Sequence, residues 1–282
     1  MNRSWWKSLN DDWKNELMSN LLINNDNGCF FPELITIFQT DKLSDRNIAA
    51  IQTLSEIHIT SRVLYDLSPL NKLSKLKHLH IEAKGNDYPE IKGLLKMIPH
   101  HLSVKVNSVF FEDITIGEDC SVLSRFYNIE SLHLKACNIK SLKGIQNLKK
   151  LQTLAIPNNQ FPLYLRYLVG LPLKTLMLEN TPINNLNPLH FIRTLNCLMI
   201  SSLTDIADYW TLSGLRKIEL IINGEYVEQT LSNLETILKK ETKGKVTNSY
   251  KQQLAEVDIA NINTTLLLDN LHTFLPLPNR YN

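Results

Sequence analysis

A curved, right-handed α/β solenoid, with a parallel sheet on its concave side and helical caps at both ends, is the fold this sequence predicts. Three observations carry that prediction. An apolar frame recurs at a constant step of 22 residues: Ile129, Leu132 and Leu134 return as Leu151, Leu154 and Ile156, then as Leu173, Leu176 and Leu178, and again as Leu195, Leu198 and Ile200. These residues hold relative positions one, four and six of each unit. At position nine stand Cys137, Asn159 and Thr181, all of which can hydrogen-bond the backbone where the chain turns away from a strand. Towards both ends the frame gives way to apolar residues at helical steps of three and four.

Residues 1–30 read as an N-terminal helical cap. Ser4 is a candidate N-cap, and Trp6, Leu9, Trp13, Leu17 and Leu21 form one stripe, with Trp5 beside it. A stack of repeats exposes its interior at each end, which a one-faced helix can cover; the alternative is that the Trp-rich helix is itself a docking surface. The repeats are assigned to residues 31–222. Ile35 and Ile37 give a weak first echo, either a degenerate repeat or part of a helix. Leu54, Ile57 and Ile59 then return as Leu76, Leu79 and Ile81 at the full step. Between Ile81 and Ile129 the spacing stretches, and either Leu102-Val104-Val106 or Val109-Phe110-Phe111 supplies the strand. Leu215, Ile218 and Leu220 close the run after a step of only 20 residues. The count is about seven or eight units. Residues 223–282 read as a C-terminal helical cap and tail: Val227, Leu231, Leu234 and Leu238 form a helical stripe, and Lys239 to Lys245 a solvated loop. Leu254 to Leu268 is expected to pack on the last repeat, with Pro276 and Pro278 in an extended tail.

The unit Leu173-x-x-Leu176-x-Leu178-x-x-Thr181-x-Ile183 resembles the leucine-rich repeat consensus. Asp66 to Leu73 reads DLSPLNKL, and with Leu142 to Leu148 and Leu186 to Leu189 it is similar to the convex segment of the internalin-like, 22-residue class. The resemblance runs from about residue 50 to about residue 222. It implies a bacterial protein-binding scaffold with no enzymatic chemistry. Surface-displayed members of that class need an export signal and an anchor. The segment Met1 to Asp12 does not read as a secretory signal, so the resemblance reaches the repeat and not the adhesion role.

Composition narrows the function further. The chain has 282 residues, 43% hydrophobic and 21% charged, enough for a sizeable core. A net charge of +2 leaves no overall footprint for nucleic acid or an acidic membrane, and no apolar run approaches the roughly 20 residues that span a bilayer. Cys29, Cys120, Cys137 and Cys197 have no paired spacing, which favours a reduced, cytoplasmic setting over a mature fragment of a secreted precursor. Phosphate loops, dinucleotide fingerprints, nucleophile elbows and zinc spacings are missing from the sequence. No Cys follows Cys197, which argues against an appended ubiquitin-ligase domain of the kind some repeat effectors carry. The expectation is therefore a non-enzyme without cofactor or metal.

In L-x-x-L-x-L the leucines point inward and the residues between them point out of the concave sheet. The middle outward column reads His58, His80 and His133, then Ala155, Met177 and Met199, with Ile221 at its far edge. The apolar half is expected to bind a partner, Glu179 adding a charge beside it and His80 and His133 adding polar contacts. The alternative is that the C-terminal segment folds over this face. His58, His78 and His80, with Glu56 or Glu82, also lie close enough to share a metal, but their spacing matches no known ligand set. The expected function is a monomeric adaptor or inhibitor of a protein partner. A translocated effector binding a host protein, an immunity protein neutralising a toxin, and a self-associating structural protein are the other readings.

Overall fold

The structure, a computed structural model, describes residues 2–23, 43–83, 91–200, 219–222 and 245–247. Residues two apart on a strand point to the same side, so positions four and six of each unit must share a face. They do so in nine parallel strands paired in chain order: β1 (Glu56–Thr60), β2 (His78–Glu82), β3 (Ser108–Glu112), β4 (Ser131–Lys135), β5 (Thr153–Ala155), β6 (Thr175–Leu178), β7 (Cys197–Ile200), β8 (Glu219–Ile222) and β9 (Lys245–Thr247). Ile57, Leu79, Val109, Leu132, Leu154, Leu176 and Leu198 align as one row, and none has any accessible surface. The chain is a leucine-rich repeat solenoid with a 22-residue step from β4 to β8: Leu220 falls opposite Leu198, so the step into β8 is 22 residues and not the 20 that the sequence spacing predicts.

Short 3-10 turns on the convex side, such as Ser68–Lys72, Ile145–Asn147 and Asn187–Phe191, return the chain to the next strand. Their Leu70, Ile145 and Leu189 reach the same core, fully buried, so each repeat is closed by apolar contact from both sides. Strands β2 to β7 each start on one repeated bond pattern. The carbonyls of Ser55, Lys77, Asn107, Glu130, Gln152 and Lys174 each accept two N–H groups from the following unit, at 2.7 to 3.2 Å. Past the strands, Asp113, Ala136, Asn158 and Asn180 adopt the left-handed conformation, φ between 50° and 59°, which Asn and Asp enter at low cost. Position nine then turns inward. Asn159 accepts from Ile139 N at 2.6 Å and donates to the Ile139 and Phe161 carbonyls at 2.9 and 2.7 Å.

The stretched middle has a structural cause. Helices α4 (Ile91–Met97) and α5 (His100–Lys105) lie between β2 and β3, lengthening that step to 30 residues. Leu102 and Val104 therefore sit on α5, and of the two candidate segments Val109-Phe110-Phe111 is the strand. Beyond residue 222, β9 adds to the sheet at Lys245–Thr247, inside the span that sequence reading gave to the C-terminal cap. Ile35, Ile37, the stripe from Val227 to Leu238 and residues 248–282 lie outside the described residues.

Helix α2 (Asp11–Ile23) meets the open side of β1, and α1 (Asn2–Ser8) packs against the helix Asp45–Gln52. Asn10 caps α2 by accepting from Trp13 N at 2.9 Å, and Asp11 and Asp12 complement the dipole of its first turn. An edge strand leaves alternate backbone groups unpaired. Asn20 supplies them at His58, accepting from its N–H at 2.6 Å and donating to its carbonyl at 2.7 Å, and Glu16 accepts the Thr60 N–H. Trp13, 1% exposed, donates to the Asp66 carbonyl at 2.8 Å. Helix α3 (Asp45–Gln52), capped by Ser44, buries Ile48 and Ile51 beneath the first repeat. Among the described residues no helix is long and apolar enough to cross a membrane.

Candidate functional site

Strand register brings the predicted middle column together and inserts one residue that the sequence spacing hid. His58 pairs with His80, His80 with Phe110, Phe110 with His133, His133 with Ala155, Ala155 with Met177, Met177 with Met199 and Met199 with Ile221. At a strand spacing of about 4.8 Å, flat rings in such a column come within contact distance of one another. His58 and His80 stack with centroids 4.0 Å apart and planes 13° apart, His80 tilts against Phe110 at 4.2 Å, and Phe110 stacks on His133 at 5.5 Å.

Alternation fixes which way these side chains point, and the structure adds how much of each reaches the surface. His80 is 3% exposed, Phe110 2%, His133 7%, Ala155 2% and Met177 5%. The centre of the column is thus a buried floor rather than an open patch. His58 and Met199 at its ends, and Glu179 beside it, stay half-buried. Ile221 continues the column on β8.

A charged column runs alongside, on Thr60, Glu82, Glu112 and Lys135. Glu82 accepts from His58 Nε2 at 3.1 Å, and Lys135 Nζ meets Glu112 at 2.6 Å. His80 Nε2 faces the other Glu112 oxygen at 3.8 Å, too long for a hydrogen bond, so that contact acts through space. Burial pushes the Glu112 carboxyl up, but His80 and the Lys135 ammonium overcome it and hold the group below the usual carboxylate value. Burial lowers His80, against the pull of Glu112, and lowers His133 to about 4, with His80 adding to the effect. The His133 ring, stacked on Phe110, is therefore neutral at pH 7. Burial also raises Glu179.

Sequence reading missed Phe110, Glu112 and their pairings because the 30-residue step placed them off the regular frame. Choosing Val109-Phe110-Phe111 for the strand would have put Ser108, Phe110 and Glu112 on the outward face. No group of three or more His, Cys, Asp or Glu side chains among the described residues is arranged to hold a metal ion. Cys120, Cys137 and Cys197 are buried, and burial pushes the thiols of the first two up, Cys120 to about 12 and Cys137 higher still. Such thiols stay protonated and inert at neutral pH.

No protein-family profile matches the chain, and no curated protein matches its sequence. Among solved structures it is similar to internalin C2 from Listeria monocytogenes, with 18% identity and a TM-score of 0.48 over 71% of this chain and 83% of that one. A second internalin from Listeria monocytogenes, InlF, gives 19% identity and a TM-score of 0.41 over 74% of this chain and 65% of that one. The leucine-rich repeat domain of the type III effector XopL gives 18% and 0.45 over 89% and 95%. The repeat fold itself stands on the strand register and the buried leucine rows described above.

Proposed function

We propose that this chain is a non-enzymatic protein-binding module, a monomeric adaptor or inhibitor whose partner docks on the concave face of the repeats. The observation that supports this most is the column itself. Phe110, Ala155, Met177 and Met199 are apolar on the face opposite the leucine core, where the stacking of repeats does not require apolar side chains. In this reading His80, Phe110, His133, Ala155 and Met177 form a rigid floor, and His58, Met199, Glu179 and Ile221 meet the partner around it. The sheet is ordered before binding, so a partner docks across several strands with little conformational penalty.

The test compares capture of protein partners from native lysate by wild type, by a Met199→Asp/Glu179→Lys variant and by Tyr164→Asp. Tyr164 is 55% exposed beside the 3-10 turn Leu165–Leu168 and serves as the convex control. The expected result is one partner retained by wild type and Tyr164→Asp and lost from the concave variant. Equal retention by all three, with circular dichroism showing each folded, would move the site off this face.

A further inference from the structure

The edge of the solenoid where the strands begin carries a line of cations that enter no ion pair among the described residues. The repeated carbonyl pattern that starts each strand places Lys77 and Lys174 in one row with Asn107, Glu130 and Gln152. Two residues upstream, the equivalent row holds Lys75, Lys105 and Lys150, and the row before that Lys149 and Arg193. All seven of these cations are exposed, and none enters an ion pair among the described residues. Glu130 is the one carboxylate in the three rows. On the opposite edge lysines are neutralised in place: Lys135 is paired with Glu112 at 2.6 Å and Lys140 with Glu118 at 2.7 Å.

We infer that this basic edge is a second docking surface, separate from the concave face, and that its occupant is an acidic, extended segment of a protein. Among the described residues these like charges have no carboxylate partner, and Lys77 Nζ only donates to the Lys105 carbonyl at 3.4 Å, so the arrangement is explained by charge complementarity to something outside it. From β2 to β7 there are five strand intervals, a line of about 24 Å at about 4.8 Å each. That matches about seven residues of extended peptide at about 3.3 Å per residue. The details favour a peptide over other anions. Six of the seven cations are Lys, point charges rather than the forked guanidinium suited to phosphate. Tyr127, 47% exposed, is the one aromatic in the three rows, too few for a stacking platform. Glu130 interrupts the line, which discrete carboxylates can straddle and a continuous phosphate backbone cannot.

The test measures binding of a fluorescein-labelled twelve-residue Glu/Asp-rich peptide by anisotropy at low salt. It compares wild type, Lys75→Glu/Lys105→Glu/Lys149→Glu/Lys174→Glu, and a charge-matched control, Lys7→Glu/Lys96→Glu/Lys140→Glu/Lys143→Glu, each checked for folding by circular dichroism. The expected result is saturable binding to wild type, weakened at least ten-fold in the edge variant and less than three-fold in the control, with acetylation of Lys75, Lys149 and Lys174 slowed by the peptide. Lysine protection on wild type keeps the test decisive even if the edge variant fails to fold. Absence of binding, equal loss in edge and control variants, or tighter edge-dependent binding of a 20-base-pair duplex or of vesicles containing 30% phosphatidylserine would each overturn the proposal. The concave-face reading is untouched by any of these outcomes, because Met199 and Glu179 are unchanged in every variant.

Discussion

Replacing Asn159 with Ala removes the hinge of the central repeat while changing the surface hardly at all. Asn159 is 2% exposed, and its amide makes three bonds to backbone: it accepts from Ile139 N at 2.6 Å and donates to the Ile139 and Phe161 carbonyls at 2.9 and 2.7 Å. The two bonds to Ile139 are buried, so their loss leaves a donor and an acceptor without water, at roughly 1–3 kcal/mol each. The Phe161 carbonyl lies nearer solvent and can recover a partner there, so its loss adds about 0.5–1 kcal/mol. The sum is a destabilisation of about 2.5–7 kcal/mol, a large share of the roughly 5–15 kcal/mol that holds a domain together. Urea unfolding followed by far-ultraviolet circular dichroism reads it directly as a lower midpoint with an unchanged slope. Asn147→Ala, on the exposed convex turn, is the control and should stay within about 0.5 kcal/mol of wild type. A loss below about 1 kcal/mol for Asn159→Ala would refute the claim that position nine is held by its side chain.

Two further outcomes follow from the same geometry. Burial, with His80 adding to it, holds His133 down at about 4, whereas an unfolded chain titrates near 6.5; the unfolded state therefore takes up a proton that the folded state refuses. Stability is complete above about pH 6.5 and declines as the pH falls towards 4, by about 2 kcal/mol between pH 7 and pH 5 at 1.36 kcal/mol per unit, and His133→Phe should flatten that slope in urea midpoints taken at the two pH values. Gly144 adopts φ 96°, and a Cβ there would overlap the backbone N and Cα of Ser121. Gly144→Ala should lower the thermal midpoint by several degrees more than Gly170→Ala, where φ is 85° but the space is open; equal shifts would mean that only backbone conformation matters.

The parts of the fold legible in the sequence were those governed by local spacing. Leu132, Leu154, Leu176 and Leu198 could be placed in one row because each unit is a copy of the last, and a copy of 22 residues must return its leucines to the same depth. Cys137, Asn159 and Thr181 were legible for the same reason, and their hydrogen bonds to neighbouring carbonyls give that position its structural role. Phe110 was not, because α4 and α5 break the period and periodicity alone cannot choose between two apolar triplets. The burial of His80, His133, Ala155 and Met177 was also hidden. Alternation tells which face a side chain leaves from, whereas its exposure depends on what stands beside it in space, such as a ring 4.0 Å away. The ion pairs of Glu82 and Glu112 required the strand register, which brings residues 23 to 30 positions apart onto adjacent strands.

The doubled carbonyls at the strand starts make the length of this molecule an adjustable quantity. Each acceptor serves only the unit that follows, so nothing in the pattern records how many units precede it. If residues 153–174 were cut out, Gln152 would run directly into Thr175. The Thr175 N–H would meet the Glu130 carbonyl in place of the Thr153 N–H, and the Gln152 carbonyl would receive the Asn196 and Cys197 N–H groups that Lys174 now holds. The sheet would lose one rung and keep its grammar. A lineage carrying this pattern can thus gain or shed surface in whole rungs, altering its reach towards a partner without redesigning the bonds that hold any single turn.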